Sequence, residues 1–175
     1  MSGSDVLDNN PNISRSALEA LHEELFAWAL SRSDYDQSVA EDLVQQTYVE
    51  LLMGKARFEG RSSLKTFVFS VLQNLARSRF RRIASRLKLA SLFAADSIQP
   101  TAPTEGARNS DLWSAVQKLP QRQRDIIELV FCRDMTIEAA SIVMGVTSGT
   151  GRVHYDRAKK ALRVQLNDVG DWLDE

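Results

Sequence analysis

The sequence predicts an all-α protein made of two small helical domains joined by a flexible linker. Three observations predict this. Apolar residues recur at helical spacing along most of the 175 residues. No stretch alternates apolar and polar side chains as a half-buried strand does. The segment 98–109, with Pro100, Pro103 and Gly106 set among Thr, Ala and Ser, has turn chemistry and no periodicity, so it reads as a linker. The predicted organisation is a disordered tail over 1–14, a first domain over 15–93, a linker over 94–109, a second domain over 110–167 and an acidic tail over 168–175.

In the first domain, Leu18, Leu21, Leu25 and Trp28 share the face of one helix. A second helix from about Ser38 to Met53 carries Val39, Leu43, Val44, Tyr48, Leu51 and Leu52 inward and leaves Glu41, Asp42, Gln45 and Gln46 to solvent. After a loop from Gly54 to Arg61, a third helix begins with Ser62 or Ser63 as its N-cap and runs to about Arg82, with Leu64, Phe67, Val68, Val71, Leu72 and Leu75 inward. Lys65, Phe69, Gln73, Arg77 and Phe80 lie together on another of its faces. Such interleaved cations, amides and rings suit single-stranded nucleic acid, although Phe69 and Phe80 could equally pack against a neighbouring helix.

In the second domain, Pro120 suits the first turn of a helix whose apolar stripe is Ile126, Ile127, Leu129 and Val130. Thr136 caps a shorter helix that ends at Gly145. A brief connection, 146–148, leads to a third helix with Gly151, Tyr155, Ala158 and Leu162 on one face. Arg152, Arg157, Lys159, Lys160 and Arg163 surround it. Helix, tight glycine turn and basic amphipathic helix form the helix-turn-helix pattern of a DNA reader.

Composition narrows the classes. With 43% apolar residues the chain can bury real cores. One cysteine excludes an internal disulfide framework, and two histidines leave no zinc cluster. Cys132 sits in an apolar run and reads as a small buried hydrophobe. The first residues carry no signal sequence, and no window approaches the ~20 apolar residues of a spanning helix, so a cytoplasmic protein without membrane insertion is expected. No cofactor-binding pattern, paired His and carboxylate, or activated nucleophile occurs, so no cofactor, metal or catalytic residue is expected and the chain does not read as an enzyme.

The net charge of −1 hides a segregation. Residues 15–53 hold eight acidic and two basic side chains, whereas residues 54–88 hold ten basic and one acidic. Two different partners are implied. The run Arg77, Arg79, Arg81, Arg82, Arg86 and Lys88 repels itself along one helix, which favours a polyanion over a merely solvated face.

The chain resembles the extracytoplasmic-function class of bacterial sigma factors of the sigma-70 family, over roughly residues 15–166. AEDLVQQTYVELL followed by RFEGRSSLKTFVFSVLQNLARSRFRR resembles region two, whose usual form is near AEDLVQETF, then FxGxSSFRTWLYRIARNLARDRLRR. LPQRQRDIIELVF and the helix-turn-helix resemble region four, usually near LPPRQREVLLL, then LSYEEIAEILGVPVGTVKSRLHRARKAL. The resemblance implies a promoter-specificity factor that binds core RNA polymerase through its β′ clamp and β flap. Glu41, Asp42, Gln45 and Gln46 are then the clamp contacts. Arg61, Ser62, Lys65, Thr66, Phe69, Gln73, Asn74 and Arg77 match the positions that melt and read the −10 element.

Placed at 100° per residue, Gly149, Arg152, Val153, Asp156, Arg157 and Lys160 share the face opposite Gly151, and the resemblance implies that these, with Thr150, are the −35 contacts. Val153 can touch a thymine methyl. Asp156 can accept from a cytosine amino group, or simply pair with Lys159 or Lys160. The resemblance further implies control by an anti-sigma factor or by a Ser/Thr kinase, for which Thr47 is the candidate phosphorylation site.

Three departures stand out. Gln46 replaces the usual Glu, Phe67 replaces Trp, and Gly151 replaces a Val that packs under the recognition helix. A small packing gap and a frayed helix start are therefore expected at Gly151. Two rival readings remain, a stand-alone helix-turn-helix regulator and a polymerase-docking protein that does not initiate.

Overall fold

The computed structural model describes residues 6–91 and 111–166, which fall into two compact units. In the first unit a short antiparallel hairpin, β1 (Val6–Leu7) and β2 (Asn10–Ser14), precedes three helices, α1 (Arg15–Arg32), α2 (Gln37–Leu52) and α3 (Leu64–Ser91). The hairpin corrects the reading of a disordered tail over residues 6–14. Leu7 and Ile13 are buried, and Asn10 is buried with them. The linker 94–109 and the acidic tail 168–175 lie outside the described residues.

Each helix start has its chemical reason. Ser14 accepts a hydrogen bond from the Ala17 amide at 3.2 Å and Asp36 one from Val39 at 3.0 Å, satisfying donors that the first turn leaves open. Ser63 does the same for Thr66 at 3.1 Å, which settles the choice between the two serines. Between α1 and α2 the chain reverses through Asp34 and Tyr35, both at positive φ. Helix α3 runs nine residues beyond its expected end at Arg82. The extension is exposed over 83–89, but six of its nine residues are the good helix formers Ala, Leu, Arg and Lys, and it holds no glycine or proline.

The core of this unit is Leu25 and Trp28 of α1, Leu43, Val44 and Leu51 of α2, and Val68, Phe69 and Leu72 of α3. Trp28 and Phe69 stack with centroids 6.4 Å apart, and the Arg32 guanidinium lies over the indole at 4.2 Å from its centroid.

The second unit contains α4 (Asp111–Gln117), α5 (Gln121–Ile127) running into a π turn (Glu128–Cys132), α6 (Ile137–Met144) and α7 (Ser148–Leu166). Helix α4 adds to the three helices expected there. Thr136 caps α6 through the Ala139 amide at 3.1 Å, and Gly145 closes it at φ 64°, a left-handed position that glycine takes without strain. Thr147 caps α7 through the Thr150 amide at 3.2 Å. Ile126, Leu129, Ala140, Val143 and Met144 close on Ala158 and Leu162 of α7. Cys132, expected inside, stands at the surface at the end of the π turn. Partial cover of its sulfur, then the Glu128 carboxylate, push the thiol pKa up, so it is not a poised thiolate.

Candidate nucleic-acid interface

Helix α3 and the loop before it carry the first candidate surface. Its phase differs from the one expected. Phe69 and Thr66 are buried, and Gln73 is only 4% exposed. Phe69 belongs to the Trp28 stack, and Thr66 bonds the capping Ser63 hydroxyl at 2.9 Å. Phe69 and Gln73 are therefore removed from the stacking platform that the sequence suggested, and Thr66 from the −10 positions that the resemblance implied. Lys65 reaches back to α1 and pairs with Glu24 at 2.5 Å.

The face turned to solvent is instead Phe67, Ser70, Val71, Asn74, Ser78 and Arg81, which recur at helical spacing and are half-exposed or exposed. Asn74 is its exposed centre, with Arg77 half-buried at its edge. Phe67, expected inside, is the surface aromatic, and it packs against Phe58 of the preceding loop at 5.3 Å between centroids. Gly60 turns the loop at φ 72°, and Arg61 beside it is exposed and paired with Glu59 at 2.8 Å. Ser62 lies half-exposed between Arg61 and the cap. Phe80 is 72% exposed, in the second half of α3 among Arg79, Arg81 and Arg82.

Helix α2 presents the opposite sign. Glu41, Asp42, Gln45 and Gln46 are all exposed. Gln46 donates to Glu50 at 3.1 Å and Gln37 to Glu41 at 3.4 Å, so the acidic face is pre-ordered by i, i+4 bonds. Asp42, Gln46, Val49 and Met53 fall on one stripe, and the last two are exposed apolar residues that continue the polar face. Reading the period alone does not separate such a rim from the core.

Thr47 corrects the phosphorylation reading. Its side chain is fully buried, and its hydroxyl donates to the Leu43 carbonyl at 2.7 Å. A kinase cannot reach that oxygen in the folded helix, and a phosphate there would bury an uncompensated charge.

Helix α7 carries the second candidate surface. Gly149, Thr150, Arg152, Val153, Asp156, Arg157 and Lys160 are all exposed, on the face opposite Gly151, Ala158 and Leu162. Arg152 is held by Glu138 of α6 at 2.6 Å. That hydrogen bond, with a further one from the backbone, lowers the Glu138 pKa, so the pair persists to more acidic pH than an ordinary glutamate would allow. Asp156 makes no ion pair with Lys159 or Lys160 among the described residues. Lys159 turns instead over Tyr155 at 5.6 Å, and Tyr155 stacks on Phe131 at 6.1 Å.

Gly151 leaves no gap. A Cβ there would meet the Ser141 hydroxyl at 1.9 Å, so α6 and α7 approach where only a hydrogen fits. Ser141, bonded to the Ile137 carbonyl at 2.6 Å, fills the space. This coupling went unread in the sequence because neither residue signals the other.

Two helical units, one acidic on α2 and basic on α3, the other a helix-turn-helix with a basic outer face, define a DNA-binding transcription factor. Residues 17–86 match the family described as Sigma-70 region 2, and residues 110–162 match Sigma-70, region 4. The chain is 30% identical over 154 residues to the ECF RNA polymerase sigma factor EcfG of Rhodopseudomonas palustris, covering 87% of this chain and 84% of the relative. It is 27% identical over 160 residues to the ECF RNA polymerase sigma factor SigF of Caulobacter vibrioides, covering 91% and 89%. Among solved structures, the sigma factor RpoE of Bartonella quintana, in complex with the anti-sigma factor NepR, superposes with a TM-score of 0.68 at 26% identity. That match covers 92% of this chain and 98% of that one. The chain belongs to the extracytoplasmic-function RNA polymerase sigma factors of the sigma-70 family. It binds core RNA polymerase and directs initiation at specific promoters.

Proposed function

We propose that the exposed face of α3 centred on Asn74, with the loop 58–63, captures and reads the non-template strand of the −10 element. The observation that carries this reading is the stripe Phe67, Val71, Asn74, Ser78 and Arg81 beside the Gly60 turn, in a stretch with ten basic residues and one acidic. An amide both donates and accepts, which suits a base edge. Rings and arginines beside it supply stacking and phosphate contact. Arg61, Ser62, Asn74 and Arg77 keep their assignment. Lys65 acts by anchoring α3 to Glu24. The α7 residues Gly149, Thr150, Arg152, Val153, Asp156, Arg157 and Lys160 read the −35 duplex, with Arg152 exchanging Glu138 for phosphate or base.

The acidic face of α2, with Val49 and Met53 at its rim, docks on a basic surface of core polymerase. The protein has no catalytic chemistry of its own and works in the cytoplasm. No helix among the described residues is long and apolar enough to cross a membrane. Release from an anti-sigma protein, the kind of partner seen with the Bartonella relative, is the control we favour over phosphorylation, because Thr47 is buried. The rivals lose support from the order of the two matched regions, which neither a stand-alone regulator nor an inert docking protein requires.

Asn74→Ala tests the assignment. Holoenzyme carrying it should bind a single-stranded −10 oligonucleotide about tenfold more weakly, the size of one lost base-edge contact, with core binding unchanged. Unchanged oligonucleotide affinity would remove Asn74 from the reading surface.

A further inference from the structure

We infer that the N-terminal hairpin belongs to the promoter-opening apparatus, with Asn10 as the positioning residue that holds the strand-capturing loop in register. The inference rests on the assignment of loop 58–63 to the −10 strand.

One buried amide ties three backbone groups. Asn10 Nδ2 donates to the Leu51 carbonyl at 2.5 Å and to the Ala56 carbonyl at 2.9 Å, while its Oδ1 accepts from the Phe58 amide at 3.0 Å. Leu51 lies in the last turn of helix α2, Ala56 precedes the loop and Phe58 opens it. Two neighbours extend the clasp. Asn9 donates to the Leu52 carbonyl at 2.7 Å, and Asn12 to the Phe58 carbonyl at 3.4 Å.

Only a side chain with donor and acceptor on one short stem can serve both carbonyls and the amide. Aspartate lacks the donors, and glutamine would need room that a buried site does not offer. The approach is close enough that Gly54, at φ 66°, would place an added Cβ 2.9 Å from the Asn9 Cβ. Buried Leu7 and Ile13 fasten the hairpin from below.

The consequence reaches the outer face of α3. Phe58, fixed at its amide by Asn10, is the ring that packs on Phe67, where the strand-reading stripe begins. Without the clasp, the loop's amide and carbonyl lose their partners together, and the segment 56–62 must pay the ordering entropy when the strand arrives. The hairpin is thus expected to act on strand capture rather than on polymerase docking, whose contacts lie on the exposed face of α2.

The test uses holoenzyme assembled from full-length chain and core RNA polymerase, on a promoter at which the wild type starts transcription. Three quantities are read: core affinity, affinity for a single-stranded −10 oligonucleotide against a scrambled one, and the fluorescence rise of 2-aminopurine in the −10 duplex. Asn10→Ala should leave core affinity within about twofold, weaken the −10 oligonucleotide about tenfold, leave the scrambled one unchanged and abolish most of the fluorescence rise. A merely structural role would lower core binding in step.

If Asn10→Ala loses core binding as well, Asn12→Ala decides. Its exposed side chain touches only the loop carbonyl, and it should weaken the −10 oligonucleotide roughly twofold with core affinity intact. Wild-type −10 affinity in an Asn10→Ala holoenzyme, or in an Asn12→Ala one where that variant decides, overturns the inference. Failure of the wild type itself to prefer the −10 strand over the scrambled one overturns the loop assignment first, and the inference with it.

Discussion

Phe69→Ala should lower the stability of the first unit by about 3–5 kcal/mol, the usual cost of emptying a buried phenylalanine site. A domain of ordinary stability, on the order of 5–15 kcal/mol, loses a large share of it. Phe69 is wholly buried, and its ring backs Trp28, which itself carries Arg32. Amide hydrogen exchange on the full chain is the suitable measurement, because α1–α3 and α4–α7 report separately. Protection should fall across α1, α2 and α3 and stay in the second unit. Phe80→Ala, at a site 72% exposed, should change protection by less than about 0.5 kcal/mol. If Phe69 were instead a stacking platform for bases, the variant would keep full protection and lose only −10 binding.

Gly151→Ala carries the second large effect, and its sign is the informative part. In an isolated helix the change would stabilise by about 1 kcal/mol. Here the added methyl meets Ser141 Oγ at 1.9 Å and Ser141 Cβ at 3.1 Å, so the hydroxyl must turn off its bond to the Ile137 carbonyl and α7 must give by a few tenths of an ångström against α6. Overpacking of this kind costs about 1–3 kcal/mol, and the recognition face moves with the helix. Thermal unfolding should show the second unit destabilised, and −35 duplex binding by holoenzyme should weaken. In a Ser141→Ala background the shorter contact is gone and most of the penalty should disappear, a coupling that a double-mutant cycle reads directly. Equal costs in both backgrounds would show that Ser141 is not what excludes the methyl.

The helix-turn-helix could be read residue by residue because its boundaries are set by local chemistry. Thr136 caps, Gly145 takes a left-handed turn and Thr147 restarts the chain, each within a few residues of the groups it serves. The exposed set on α7 follows from the same short-range period, since its opposite face is confined to Gly151, Ala158 and Leu162.

Helix α3 offered no such guide. From Leu64 to Leu75 apolar residues occupy nearly every direction, so the period does not say whether Phe67 or Phe69 faces the core. Only tertiary contact with Trp28 decides. Thr47 misled for a related reason, because the residue type does not disclose that its hydroxyl turns inward to Leu43. The hairpin escaped notice because Asn9, Asn10 and Asn12 resemble a polar tail, and their partners lie more than forty residues away. What was legible depended on near neighbours in the chain, and what was missed depended on distant ones.

This chain converts core RNA polymerase into an enzyme that chooses start sites. Run-off transcription with purified core polymerase and fragmented DNA from the source genome tests it most directly. Discrete transcripts should appear only when the chain is added, and they should fall about tenfold with Asn74→Ala although core binding persists. Stable core binding with no start site on any fragment would contradict it, as would tight, specific duplex binding by the chain without polymerase.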